Sequence, residues 1–197
     1  MSEQKSDRRV ERTKDAIRAV FKDMVCELPY EKITVKEIAE RAGINRNTFY
    51  LHYDSPDDVL HEIQTEHSDR YSALIAGYDY KNDGAVLVRS FFEYMEAQDE
   101  FFKKVTCDSR FDYIRERMQN RVLAKTYKQS SVLPCKNEYE ENIVRAFFNT
   151  PLYLYQQWVR DGRKIPLERI IEISATLTDF GMQGFLHYPA AVKYDRG

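Results

Sequence analysis

Cysteine, glycine, proline and long apolar runs are all scarce in this chain of 197 residues. The three cysteines, Cys26, Cys107 and Cys135, are scattered, odd in number and without any C-x-x-C spacing, which argues against a disulfide framework or a zinc site and fits a reducing compartment. Seven glycines and six prolines are too few for a collagenous or low-complexity chain, and 43% hydrophobic with 13% aromatic residues point to an ordered, largely helical globule. No apolar run approaches the roughly 20 residues of a membrane helix, and the polar N-terminus has no signal core. A cytoplasmic location with no membrane partner is therefore expected. An excess of basic charge is missing as well: 30 basic against 32 acidic residues leave −2, so any contact with a polyanion must come from local placement of charge. Between Lys5 and Lys22 that placement exists, with seven basic residues against three acidic ones.

What is present is concentrated between Thr34 and Tyr53. Thr34 followed by Glu37 is a capping box that starts a helix, and Val35, Ile38, Ala39 and Ala42 give it a narrow apolar stripe. Gly43 supplies a left-handed stop, Ile44 turns back to the core, and Asn45 caps a second helix. Phe49 and Tyr53 share the inward face of that helix. Asn47, Tyr50 and Leu51 lie roughly opposite, Thr48 and His52 flank them, and Arg46 sits in the first turn, where a recognition helix meets base edges. An Arg fork, an amide, an aliphatic surface and hydroxyl and imidazole groups together make a surface suited to reading DNA. The pattern predicts a helix-turn-helix.

The run from Thr13 to Leu60 resembles the N-terminal domain of TetR-type bacterial transcriptional regulators, through Ile38–Gly43 as I-A-x-x-A-G and Thr48–Tyr53 as T-F-Y-x-H-Y. The resemblance implies that Lys36, Arg46, Asn47, Thr48, Tyr50, Leu51 and His52 face an operator. One departure stands out. The family usually places a phosphate-binding lysine just after the motif, where this chain has Pro56, Asp57 and Asp58.

Elsewhere the apolar spacing predicts helices only. A basic arm leads into a helix carrying Val10, Ile17, Val20, Phe21, Met24, Val25 and Leu28, and a connecting helix starts at Ser55 and Pro56 and runs toward Leu74. The Asn82–Gly84 turn opens a body with helices over 85–97, 110–128, 139–160 and 167–186, the third kinked or divided at Pro151, with a loop at 130–136 around Pro134. The expected fold is all-α: a DNA-binding head at 8–54, a connecting helix at 55–80 and a larger regulatory and dimerisation body at 81–188. On the last helix Ile170, Ser174, Leu177, Gly181 and Gly184 form a stripe that predicts a homodimer built from the last two helices. The resemblance further implies a small-molecule effector held in the body, for which Phe147, Tyr155 and Trp158 are candidate walls.

Catalysis is not signalled. His61–His67 reads H-E-I-Q-T-E-H, but Thr65 stands where a zinc-binding H-E-x-x-H motif needs its second histidine. No nucleophile with a base, carboxylate pair or metal cluster is recognisable, and no cofactor is expected. The reading is a ligand-responsive, homodimeric regulator, a repressor acting on a palindromic operator. An activator or co-repressor-dependent regulator fits the same residues. So does a ligand-binding or scaffolding protein of this fold with weakened DNA binding.

Overall fold

The computed structural model describes residues 2–79, 82–127, 135 and 137–187; within the helices the side chains of 2–7, 114, 119, 123–127, 141, 145, 185 and 186 are outside the description. Among the described residues the regular structure is entirely helical: α1 (Ser2–Glu27), α2 (Val35–Arg41), α3 (Arg46–Tyr50), α4 (Pro56–Ile75), α5 (Gly84–Glu96), α6 (Glu100–Cys107), α7 (Asp112–Tyr127), α8 (Glu138–Phe147), α9 (Thr150–Arg160) and α10 (Leu167–Leu186). The loop expected at 130–136 lies outside the described residues except for Cys135. The chain folds as two compact units, Met1–Arg70 with Asp99–Met118, and Tyr71–Gln98 with Gln119–Gly197.

In the first unit the apolar positions of α1 do what their spacing requires. Ile17, Phe21 and Met24 are completely buried, with Ile38, Phe49, Val59 and Leu60 around them. The basic arm expected ahead of α1 is instead part of the helix, which begins at Ser2. A helix missed in the sequence, α6, completes this core: Phe101, Phe102 and Val105 are buried, and Phe101 meets Phe21 edge-on with centroids 6.0 Å apart. Two polar ties fix it. Asp99 caps α6 by accepting the Phe102 amide at 2.9 Å and pairs with Lys22 at 2.9 Å, and Lys104 donates to the carbonyl of Cys26 at the open end of α1.

In the second unit α5 lies along α10, with α9 against both. Leu87, Val88, Phe92 and Met95 of α5 are buried, as are Tyr155 and Trp158 of α9. Pro151 divides the helix expected over 139–160: α8 ends at Phe147, and Pro151 sits in the first turn of α9, where it has no intrahelical amide to lose. The α10 stripe is also redrawn. Ile170, Ile171, Ser174, Thr178 and Met182 face inward, and Leu177, Gly181 and Gly184 are exposed. Buried hydroxyls at Ser174 and Thr178 continue a row at spacing four, which an apolar pattern alone does not register. Gly181 is needed where α8 crosses α10, since a Cβ there would lie 2.7 Å from the ring of Phe147.

Candidate nucleic-acid interface

The α2–turn–α3 segment is held by its own backbone and caps. Thr34 Oγ1 accepts the Glu37 amide at 3.3 Å, and the Thr34 hydroxyl donates to the Glu37 carboxylate at 3.1 Å. At the other end Gly43 has φ +66°, the Gly43 amide donates to Glu40 O and the Ile44 amide to Ala39 O. That pairing is a Schellman stop, which needs one left-handed residue. Asn45 then starts α3 by accepting the Thr48 amide at 2.7 Å.

The recognition helix is shorter than its sequence pattern implies. It spans Arg46–Tyr50, Leu51 caps it, and His52 and Tyr53 fall in the closing turn. Phe49 and Tyr53 are buried inward, and the Tyr53 ring lies beneath Lys14 Nζ at 5.5 Å. On the outside Arg46 and Asn47 are exposed, Tyr50 is 54% exposed and Leu51 79%. Thr48 and His52 are half-buried at the margins. The structure thus brings Arg46, Asn47, Tyr50 and Leu51 onto one open face, with Thr48 and His52 beside it. Thr48 is committed locally, because its hydroxyl donates to Asn45 Oδ1 at 3.0 Å. Lys36 stands exposed on α2, 3.9 Å from Glu40.

The acidic start of α4 has internal uses that sequence reading missed. Asp58 accepts the Asp54 amide and the Ser55 hydroxyl, each at 3.0 Å, while Ser55 Oγ accepts the Asp58 amide at 3.3 Å. Asp57 accepts the phenol protons of Tyr30 and Tyr113. Burial, reinforced by the bond to Asp57, pushes the Tyr30 phenol above its ordinary range. The signal for Asp58 was legible in the spacing Ser55–Asp58; the tyrosine pair is tertiary and was not.

The expected effector walls are divided. Tyr155 and Trp158 stand together with ring centroids 6.0 Å apart, and both polar atoms have partners: the Tyr155 phenol donates to Glu96 at 2.8 Å, and the Trp158 indole to Ile165 O at 2.8 Å. Phe147 belongs to a different cluster, with Val144, Met182 and Phe148.

A family model described as bacterial regulatory proteins, tetR family, matches residues 27–63, which are the end of α1, all of α2 and α3 and the start of α4. Within that match lie the capped α2, the left-handed Gly43 and the exposed face of α3. Residues 27–63 are thus of TetR type. That family consists of DNA-binding transcription regulators rather than enzymes. The TetR-type head is similar to that of an uncharacterized HTH-type transcriptional regulator of Bacillus subtilis (strain 168), 39% identical over 59 residues, or 29% of this chain and 16% of that protein. A longer match, 24% identical over 156 residues, covers 70% of this chain and 74% of the HTH-type transcriptional repressor KstR2 of Rhodococcus jostii (strain RHA1). In fold the chain resembles a TetR transcriptional regulator from Streptococcus agalactiae 2603V, with TM-score 0.63 and 18% identity, over 89% of this chain and 98% of the other. No helix among the described residues is long and apolar enough to cross a membrane.

Proposed function

We propose that the protein is a homodimeric repressor that binds a palindromic DNA operator through α3 and releases it when a small-molecule effector binds. The observation that carries this reading is the open face of α3, where Tyr50 and Leu51 stand 54% and 79% exposed between Arg46 and Asn47. Exposed apolar surface set among a guanidinium and an amide matches a major-groove edge, with its thymine methyls, acceptors and donors. Residues 8–54 act as the DNA-binding part, 55–80 as the connecting helix and 81–188 as the part that pairs and takes the effector, with Asp99–Met118 packed into the first compact unit. Repression is taken from the longer match, to a named repressor over 70% of this chain, against a named activator matched over 51%.

Support for pairing comes from α8 and α10. Ile143 and Tyr139 on α8 and Leu177 and Phe180 on α10 are 72%, 73%, 54% and 77% exposed, and Val144 and Phe147 pack α8 on α10 beside them. A second copy covers such a surface by symmetric helix packing. The pairing helices are then α8 and α10, rather than the last two in order. Support for an effector comes from the same unit, where the Ser72, Ser174 and Thr178 hydroxyls are buried without a hydrogen-bond partner among the described residues. A polar ligand held in this unit would satisfy them and shift the population of DNA-binding conformers by its preference for one of them.

Titration of fluorescent duplex DNA at rising salt tests the reading. Affinity should fall steeply through counterion release. No binding at low salt would favour the alternative, a ligand-binding or scaffolding protein of this fold. The observation behind that alternative is the acidic start of α4, at Asp54, Asp57 and Asp58.

A further inference from the structure

The cations of α1 divide into two groups. Lys14 pairs with Glu62 at 2.8 Å, Arg18 bonds Glu62 at 3.0 Å and Glu66 at 2.7 Å, and Lys22 pairs with Asp99 at 2.9 Å. These three neutralise acids of α4 and of the turn before α6. Arg8, Arg9 and Arg12 are exposed, and no carboxylate among the described residues pairs with them. Glu11 is the one acid between residues 8 and 12.

Position gives the second group a destination. Among the described side chains, Lys14 is the one nearest the N-terminus of α1 that is tied to another segment, against the Tyr53 ring at 5.5 Å and Glu62. Tyr53 closes the turn after α3, two residues beyond Leu51. Helical rise then places the Cα atoms of Arg12 and Arg8 about 3 and 9 Å further along α1, beyond the packed core. Val10, in the same stretch, is already 38% exposed. The helix therefore leaves the core beside the end of the recognition helix, carrying three guanidinium groups that no carboxylate among the described residues pairs with.

The rest of this surface is short of cations. Arg46 is the one Lys or Arg on α3, Lys36 lies near Glu40, and the following helix opens with Asp57 and Asp58. A helix seated in a groove about 12 Å wide has a phosphate strand on either side. We infer that Arg8, Arg9 and Arg12 form an arginine clamp on the DNA phosphate backbone flanking the α3 groove. The clamp rests on the DNA-binding reading above and adds to it a set of backbone contacts outside the helix-turn-helix. Arginine suits that role, since its planar fork grips phosphate oxygens and never loses its charge. Phosphate contacts set affinity and register without reading bases.

The test uses the full-length protein and two variants, R8A/R9A/R12A and R8K/R9K/R12K. Binding is measured from 50 to 200 mM salt on a duplex selected by the wild-type protein and on a scrambled duplex. Three lost phosphate contacts should flatten the wild-type salt dependence by about 40-fold over that range, equally on both duplexes, with lysine restoring most of it. Alanine keeps the helix, so thermal unfolding of the variants should match wild type. An unchanged salt slope in R8A/R9A/R12A overturns the clamp while leaving the DNA-binding reading intact. So would a loss confined to the selected duplex, which would make these arginines base readers. Absence of wild-type binding to any duplex would remove the underlying reading instead.

Discussion

Helices α3 and α10 both expose large apolar side chains, and the company those side chains keep separates their roles. On α3, Tyr50 and Leu51 stand among Arg46, Asn47 and His52, a mixed surface with a donor or acceptor at every step. On α10, Leu177 and Phe180 stand near Gly181 and Gly184, with Ile143 and Tyr139 on the adjoining α8. Mixed chemistry suits base edges and phosphates; apolar chemistry with glycines suits another helix at close range. Exposure alone does not distinguish the two.

The largest effect should come from breaking the α10 surface. Leu177→Glu with Phe180→Glu should give a monomer by light scattering and lower operator affinity roughly 100-fold or more, because the second half-site contact is no longer intramolecular. A dimer that persists would move the pairing surface elsewhere. Acid should act next, and on the first unit. Burial, with Arg70 and Lys22 adding to it, pushes the imidazole of His67 from 6.5 down to about 4, where it stacks on Phe102. The folded state thus takes up its proton later than the unfolded one. Stability should be unaffected by this group above pH 6.5 and should fall by about 3 kcal/mol as pH drops from 6.5 to 4. His67→Leu should flatten that part of a denaturant-midpoint profile.

Gly43→Val should cost the first unit about 1–3 kcal/mol, seen as a lower denaturation midpoint, because φ +66° is strained for a β-branched residue. Surrounding space does not enter, since a Cβ there meets nothing within 4 Å. Arg46→Ala should cost about 1–3 kcal/mol on the selected site and relax preference at one base pair. Equal loss on all sequences would place Arg46 on phosphate. Smallest is Lys36→Ala, which should lower the salt slope by about one phosphate with no change in sequence preference.

The same contrast explains what could be read from sequence. Caps and stops act within five residues, so Thr34, Gly43, Asn45 and Ser55 announced the helix boundaries they make in the structure. Helix α6 has a local cap at Asp99 but was missed, because the cap alone does not hold so short a helix. Its eight residues depend on Lys22 and on the end of α1, both nearly eighty residues earlier. The expected α10 stripe shares Ile170 and Ser174 with the inward row and leaves it at Leu177, because the next inward residue, Thr178, is polar yet buried. Phe102 and Phe111 fall within the expected body at 81–188 but lie in the first unit, and Tyr139 is 73% exposed. On the candidate interface, the outward residues of α3 followed from helical spacing. The division of the α1 arginines did not, because the acids that neutralise Arg18 lie more than forty residues away.

The most direct test is selection of bound duplexes from a random pool by the purified protein at moderate salt, followed by sequencing. Recovery of a two-fold palindrome, with half-sites about one helical turn or a multiple of it apart, is the predicted result for a dimer presenting two α3 helices. Recovery of nothing above background would contradict the account and leave the exposed face of α3 to some partner other than DNA.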